Sequence, residues 1–114
     1  GNSSWRAAVI VDLGDAHDLK GETIAASQNY LEAAAIGEDM GNYFVYLAAS
    51  LKMVNIKRLQ GDVLGSIKTC EQLLQAAQAK GLAQSPMLGW LYTTWGVLLG
   101  DLNNQVKSGD TRPI

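Results

Sequence analysis

The chain has 114 residues, of which 47% are hydrophobic and 18% charged, a composition typical of a globular protein rather than a disordered or membrane-embedded one. Its net charge of −2 and isoelectric point near 5.2 lack the basic surface that binding to duplex nucleic acid requires. The single cysteine, Cys70, excludes an internal disulfide and favours a reducing, cytoplasmic location.

Two segments, Asp18–Ser27 and Arg58–Ile67, resemble each other at a distance of forty residues. Both contain a leucine, a long polar residue, a glycine and an acidic residue, followed by aliphatic and small residues. Glycines also punctuate the chain at twenty-residue intervals, at Gly21, Gly41, Gly61 and Gly81. This self-similarity indicates four similar units of about 20 residues, paired into repeats of about 40.

Apolar residues at three- and four-residue spacing predict five helices. We place them at about residues 5–20, 23–38, 43–60, 63–79 and 85–99, the last opening with an N-cap serine and a first-turn proline. Each of the four glycines stands where a helix needs a left-handed residue after its last turn. Apolar–polar alternation typical of a strand is missing, so we expect an all-α fold of antiparallel helix pairs.

After Leu99 the apolar spacing is lost, and Gly100–Asn104 has the composition of a turn. An array of repeats normally ends in a cap, so we expect either that the sequence stops within the array or that a partner or a second copy covers the incomplete last unit. Residues 1–4 are expected to be a tag or a disordered start. The remaining boundaries that we expect are residues 5–104 for the repeat domain, with repeats at 5–40, 43–80 and 85–104, and residues 105–114 for an irregular tail.

Part of the first unit resembles the tetratricopeptide repeat. The matching positions are a Leu-Gly pair in the first helix, the turn glycine, and small and aromatic residues in the second helix, namely Leu13, Gly14, Gly21, Ala26, Tyr30 and Ala33. In the second unit Cys70 stands at the aromatic position, and Trp95–Gly96 resembles a further Leu-Gly pair. The resemblance implies a right-handed α-α superhelix, in which small residues let helices approach and the aromatic side chain fills the groove between pairs.

Three further stretches, Ala25–Ala34, Leu59–Asp62 and Pro86–Trp90, are similar to the helical sensor region of MalT-like, LuxR-type large ATP-binding transcription regulators. This resemblance implies a segment that receives an inducer or an inhibitory protein and aids self-association. In that family a nucleotide-binding switch precedes the superhelix and a helix-turn-helix follows it, and this sequence contains neither the phosphate-binding loop nor a basic recognition helix. The alternative is a tetratricopeptide scaffold that binds a peptide outside transcription.

The residues with chemical potential do not form a catalytic pattern. His17 lies between Asp15 and Asp18, but neighbouring positions on a helix do not converge, and there is no second histidine to complete a metal site. Cys70 is expected to be buried, without a histidine nearby in sequence to activate it. We therefore expect neither an enzyme nor a metal or cofactor site.

In tetratricopeptide-like superhelices the first helix of each pair lines the concave, ligand-holding face. The polar and aromatic residues that would face it here are Asp15, Asp18, Asn55, Arg58, Trp90 and Thr93. Asp18 and Arg58 occupy equivalent places in neighbouring repeats, where they form either an ordinary ion pair or part of a ligand groove. Three aromatic residues of the fifth helix are either a stacking platform for a sugar or a base or, at helical spacing, core residues: Trp90, Tyr92 and Trp95, of which Trp95 is expected in the core and Trp90 is the more accessible.

The expected partners are a protein or peptide and a small-molecule effector, together with a second copy of the chain. No direct contact with nucleic acid is expected, and no apolar run reaches the length of about 18 residues that a membrane span needs.

Overall fold

A computed structural model of the protein describes residues 2–109, without the side chain of Asn2. The helices are α1 (Asn2–Leu19), α2 (Thr23–Met40), α3 (Tyr43–Leu59), α4 (Val63–Ala79) and α5 (Leu88–Ser108). Residues 2–109 contain no strand, so the predicted all-α fold with helices packed in neighbouring pairs is confirmed. Two compact units divide the chain, Gly1–Ile56 and Lys57–Ile114.

The twenty-residue period is a period of helix-ending turns. At the first turn, Gly21 adopts a φ of 77°, a left-handed conformation that glycine reaches without steric cost. The N–H of Glu22 donates to the carbonyl of His17 at 2.9 Å, and that of Gly21 to Asp18 at 3.0 Å, the bond pair of a Schellman motif. The same pair of bonds recurs at the other three turns, with φ values of 69° at Gly41, 87° at Gly61 and 72° at Gly81.

The first unit is held by a close approach of α1 and α2. A Cβ atom at Gly14 would lie 2.7 Å from Cε1 of Tyr30, whose side chain is 1% exposed, so only glycine admits the ring there. The Tyr30 ring also packs with Ala26 and Ile56, and Val11 lies against this cluster. The sequence pattern therefore places a glycine and an aromatic residue in α1 and α2 where the two helices meet.

A second contact in this unit was not predicted. A Cβ atom at Gly37, in α2, would lie 2.7 Å from the backbone nitrogen of Tyr46 in α3. Three alanines of α2 and α3, each buried, form a small cluster beside it: Ala33, Ala34 and Ala49. Small side chains thus bring α3 close to α2, as they bring α1 and α2 together.

The second unit contains α4 packed against α5. The carboxylate of Asp62 caps α4 by accepting from the N–H of Gly65 at 3.0 Å. The buried residues of each helix share one face, mostly at spacings of three, four or seven residues. They are Val63, Ser66, Ile67, Cys70, Leu73 and Ala77 on α4 and Leu88, Leu91, Leu98 and Gln105 on α5.

The ends of the described chain differ from the sequence-based expectation. Helix α1 begins at Asn2, so residues 2–4 are helical rather than disordered, and Gly1 lies outside the described residues. Helix α5 begins at Leu88 instead of Pro86, because Ser85 caps a turn that precedes the helix, its Oγ accepting from the N–H of Met87 at 3.4 Å.

The predicted turn at Gly100–Asn104 is wrong, since α5 continues through it to Ser108. Its buried face continues from Leu98 to Gln105, a polar residue that the apolar pattern had not counted. The helix ends at Gly109, with a φ of 69°. The part of the expected irregular tail from residue 110 to 114 lies outside the described residues.

Candidate functional site

In the second unit, Arg58 forms a charged pair with Asp101 of α5. The Nε of Arg58 lies 2.5 Å from Oδ2 of Asp101, and its second contact, Nη2 to Oδ1, is 3.4 Å long. Two parallel N–H···O contacts are the bidentate geometry that guanidinium and carboxylate groups favour. Because 36% of the Arg58 side chain and 28% of the Asp101 side chain are exposed, water still reaches the pair.

The pair lies on the wall of a pocket of about 320 Å³. Its lining residues come from the end of α3, the following turn, the start of α4 and the C-terminal part of α5: Arg58, Gly61, Val63, Asp101, Asn104, Gln105 and Ser108. This volume falls at the lower end of the range of about 300–1,000 Å³ that small-molecule sites occupy. Five of the seven side chains are polar or charged, so the pocket suits a ligand that makes hydrogen bonds.

Gln105 gives this wall an unusual polar group. The residue is 7% exposed, and its Oε1 accepts no hydrogen bond from the described part of the chain. A buried acceptor left unpaired costs about 1–3 kcal/mol.

The pKa of the Arg58 guanidinium lies above its ordinary value, because the hydrogen bond to Asp101 outweighs the effect of burial, and the carboxylate charge adds to it. Arg58 therefore remains a cation at every physiological pH. The pocket wall presents a positive and a negative group side by side, which gives it little net charge but a strong local dipole.

Asp15, in the first unit, is held by two neighbours. The hydroxyl of Tyr30 donates to Oδ1 of Asp15 at 2.5 Å, and Nζ of Lys52 lies 3.0 Å from Oδ1 and 3.2 Å from Oδ2. These three side chains connect α1, α2 and α3. Asp15 thus links helices, a role different from that of the ligand contact which the concave-face pattern predicts.

Burial tends to raise the pKa of Asp15, but the hydrogen bonds from Tyr30 and Lys52 and the charge of Lys52 outweigh it, so this pKa is lowered. The pKa of Tyr30 is raised by burial first and then by its hydrogen bond to Asp15. Both shifts keep Asp15 charged and Tyr30 neutral near pH 7, which preserves the donor and acceptor roles in the contact.

The remaining predicted ligand residues are exposed. Asp18 and Asn55 lie on α1 and α3 of the first unit, and Trp90 and Thr93 lie three residues apart on α5 of the second. Trp90 is 43% exposed, and the hydroxyl of Thr93 donates to the carbonyl of Gly89. Within the second unit Arg58 is paired with Asp101, a partner that the sequence did not indicate, and a pairing of Arg58 with Asp18 of the first unit stays a prediction.

Sequence reasoning missed Asp101, because its partner is 43 positions away in the chain. The only signal available was a single acid in an otherwise uncharged stretch of α5.

Two further motif positions, Leu13 and Gly96, differ from the sequence interpretation, and Leu13 is 48% exposed. Trp95 is partly buried and less exposed than Trp90, as predicted. A Cβ atom at Gly96 would meet nothing within 4 Å, in contrast to Gly14 at the equivalent place in the first unit. The resemblance of Trp95–Gly96 to the Leu-Gly pair therefore has no packing counterpart among the described residues.

The candidate catalytic residues are occupied or buried. Nδ1 of His17 lies 3.2 Å from Oε1 of Glu22, across the first turn. Cys70 is fully buried, and burial raises the pKa of its thiol to about 11, so the reactive thiolate is scarce at neutral pH. Within residues 2–109, no three His, Cys, Asp or Glu side chains are grouped so as to hold a metal ion.

None of the described helices combines the length and the apolar character needed to cross a bilayer. In comparisons with known proteins, no family model, no curated protein and no solved structure matches this chain.

Proposed function

We propose that this chain is a helical-repeat, signal-sensing and interaction segment of a MalT-like, LuxR-type transcription regulator, which binds an effector or a partner protein in the cytoplasm and aids self-association without catalysis. The observation that carries the binding role is the polar pocket beside Arg58, one of the residues that the repeat pattern places on a ligand-holding face. The regulator context rests on the sequence resemblance.

The pocket favours a small polar ligand, or the polar end of a peptide, that carries both donors and acceptors. Asp101 accepts hydrogen bonds and Asn104 both donates and accepts them, while Arg58 only donates. Gln105 and Ser108, which also line the pocket, each carry side-chain groups that donate and accept hydrogen bonds. A zwitterionic compound such as a free amino acid or dipeptide offers complementary charges to the Arg58–Asp101 pair.

Binding is tested by recording ¹⁵N NMR spectra of the chain during titration with a panel of amino acids, dipeptides and oligosaccharides. We expect shifts confined to residues around the pocket, and their loss in Arg58→Ala. The matched control is Arg6→Ala, which also removes an arginine paired with a carboxylate, that of Glu32 at 3.3 Å, but in the first unit. Absence of shifts at millimolar ligand, or equal loss in both variants, would refute the pocket as the binding site.

The regulator context is tested by the length of the coding region from which the chain derives. A nucleotide-binding domain upstream and a helix-turn-helix downstream would support it, and a gene that encodes only these residues would refute it. The second candidate function is a tetratricopeptide scaffold outside transcription, favoured by the exposed Trp90 beside Thr93 on α5. It predicts a peptide ligand whose affinity falls in both Arg58→Ala and Trp90→Ala, whereas sugars have no effect.

A further inference from the structure

Helix α5 contains glycines that nothing in the described chain explains. Glycine is the least favourable residue inside a helix apart from proline, so a mid-helix glycine normally marks a close approach by a neighbour. At Gly14 and Gly37 the neighbour is present, 2.7 Å from an added Cβ atom. At Gly89, Gly96 and Gly100 of α5, an added Cβ atom would meet nothing within 4 Å.

Beside these glycines runs a stripe of exposed apolar side chains. Tyr92 is 49% exposed, Leu99 52% and Val106 65%, and their seven-residue spacing places them along one side of α5. Residues 88–100 contain no charged side chain, and Asp101 is already paired with Arg58. A helix exposed to water alone carries charges on its outer face, so this face has the character of a contact surface.

The large and small residues of this face are complementary to each other. Gly89, Gly96 and Asn103 each lie three residues before a member of the apolar stripe, and therefore repeat with the same seven-residue period. We propose that α5 pairs with α5 of a second copy in antiparallel orientation. In the register that brings Leu99 of each copy over Gly96 of the other, Val106 faces Gly89 and Tyr92 faces Asn103.

The pattern selects a second copy rather than an unrelated partner because one helix supplies both the large and the small residues. A twofold axis makes every such contact occur twice and closes the assembly as a dimer, which prevents extension into fibres. A parallel pair in register would instead place Leu99 against Leu99 and Gly96 against Gly96, which leaves gaps along the seam.

Charge and size are consistent with this pairing. The faces that meet are uncharged over residues 88–100, so no unpaired charge is desolvated there. In the antiparallel register the two Lys107 residues stand about 29 Å apart at opposite ends of the seam, from a rise of about 1.5 Å per residue. Two faces of this size bury on the order of 1,000 Å², the lower limit for a specific interface, so we expect a weak dimer whose population depends on concentration.

This inference deepens the self-association in the proposed function and rests on that part alone. The test is sedimentation equilibrium of the full chain from about 1 to 500 μM. We expect a monomer–dimer equilibrium that Leu99→Asp weakens at least about tenfold, and that Val97→Asp leaves unchanged. Val97 is a matched control because it is 43% exposed on the other flank of α5.

Gly96→Leu is the second disrupting variant, and far-UV circular dichroism establishes that all variants remain helical. The orientation is measured by spin labels at Lys107→Cys in a Cys70→Ala background, with an expected separation near 29 Å. A chain that stays monomeric over the whole range would overturn the proposal, as would equal weakening by Val97→Asp or a label separation below about 15 Å. Binding of a foreign helix without self-association would also overturn it.

The ligand pocket and the α5 dimer can be refuted independently of each other. Loss of the dimer in Leu99→Asp should leave the NMR shifts around Arg58 intact if the pocket binds its ligand. Conversely, Arg58→Ala should abolish those shifts and leave the sedimentation profile unchanged.

Discussion

Replacement of Gly14 by alanine tests whether the close approach of α1 and α2 determines the stability of the first unit. Alanine in a helix interior is favoured over glycine by about 1 kcal/mol. At Gly14 this gain is opposed, because the new Cβ atom would lie 2.7 Å and 3.0 Å from two carbons of the Tyr30 ring and 3.2 Å from Cβ of Asn29. The ring cannot withdraw freely, since Tyr30 is 1% exposed and its hydroxyl is bonded to Asp15.

Overpacking of this kind costs about 1–3 kcal/mol, so the net effect of Gly14→Ala should range from neutral to a loss of about 2 kcal/mol in the free energy of unfolding. The matched control is Gly100→Ala, in the interior of α5, where the added Cβ atom meets nothing within 4 Å. It should stabilise the protein by about 1 kcal/mol. Urea unfolding followed by circular dichroism measures both, and amide hydrogen exchange assigns each effect to its unit.

A double-mutant cycle separates packing from helix propensity. In a Tyr30→Ala background the obstructing ring is absent, so Gly14→Ala should become favourable, with a coupling of at least about 1 kcal/mol. If Gly14→Ala stabilises the wild-type chain as much as Gly100→Ala does, the contact between α1 and α2 does not require glycine, and the packing explanation of this motif is wrong.

Asp15→Asn should reduce stability at neutral pH, because the lowered pKa of Asp15 means that its charged form stabilises the fold. The loss of stability relative to wild type should be complete above about pH 4, where the carboxyl group is ionised in the unfolded chain, and should vanish as the pH falls through the lowered pKa of the folded protein. Urea unfolding measured from pH 2 to 7 follows this difference. A constant difference across that range would exclude the charge of Asp15 as the cause. The Cys70 thiol has a pKa raised to about 11 and is fully buried. At pH 8 it should therefore react with a thiol reagent at least about a hundredfold more slowly in the native protein than in urea. Equal rates of reaction would contradict its burial. Gly41→Ala should lower the free energy of unfolding by about 1–2 kcal/mol, because Gly41 has a φ of 69°. Gly41→Asn should lower it less, since asparagine tolerates the left-handed conformation better than alanine. Equal stability of both variants and the wild type would show that the turn changes conformation without cost.

Most of the local structure could be predicted because its signals lie within a few residues of one another. The four turn glycines end helices through bonds that span only four or six residues, so their sequence context alone predicts them. The end of α5 could not be predicted in this way. A glycine at position 100 and three polar residues after it read locally as a turn, whereas in the structure α5 runs through this segment, pairs Asp101 with Arg58 and buries Gln105.

The sequence by itself determined the five helices and all of their boundaries except the end of α5 to within a few residues, since helix periodicity and turn chemistry are local. Tertiary structure alone decided which polar groups meet. Asp15 receives Lys52 from 37 positions away and Arg58 receives Asp101 from 43, distances over which no periodicity indicates a partner. For the same reason only the structure distinguishes Gly14, which is packed against a ring, from Gly96, which is not.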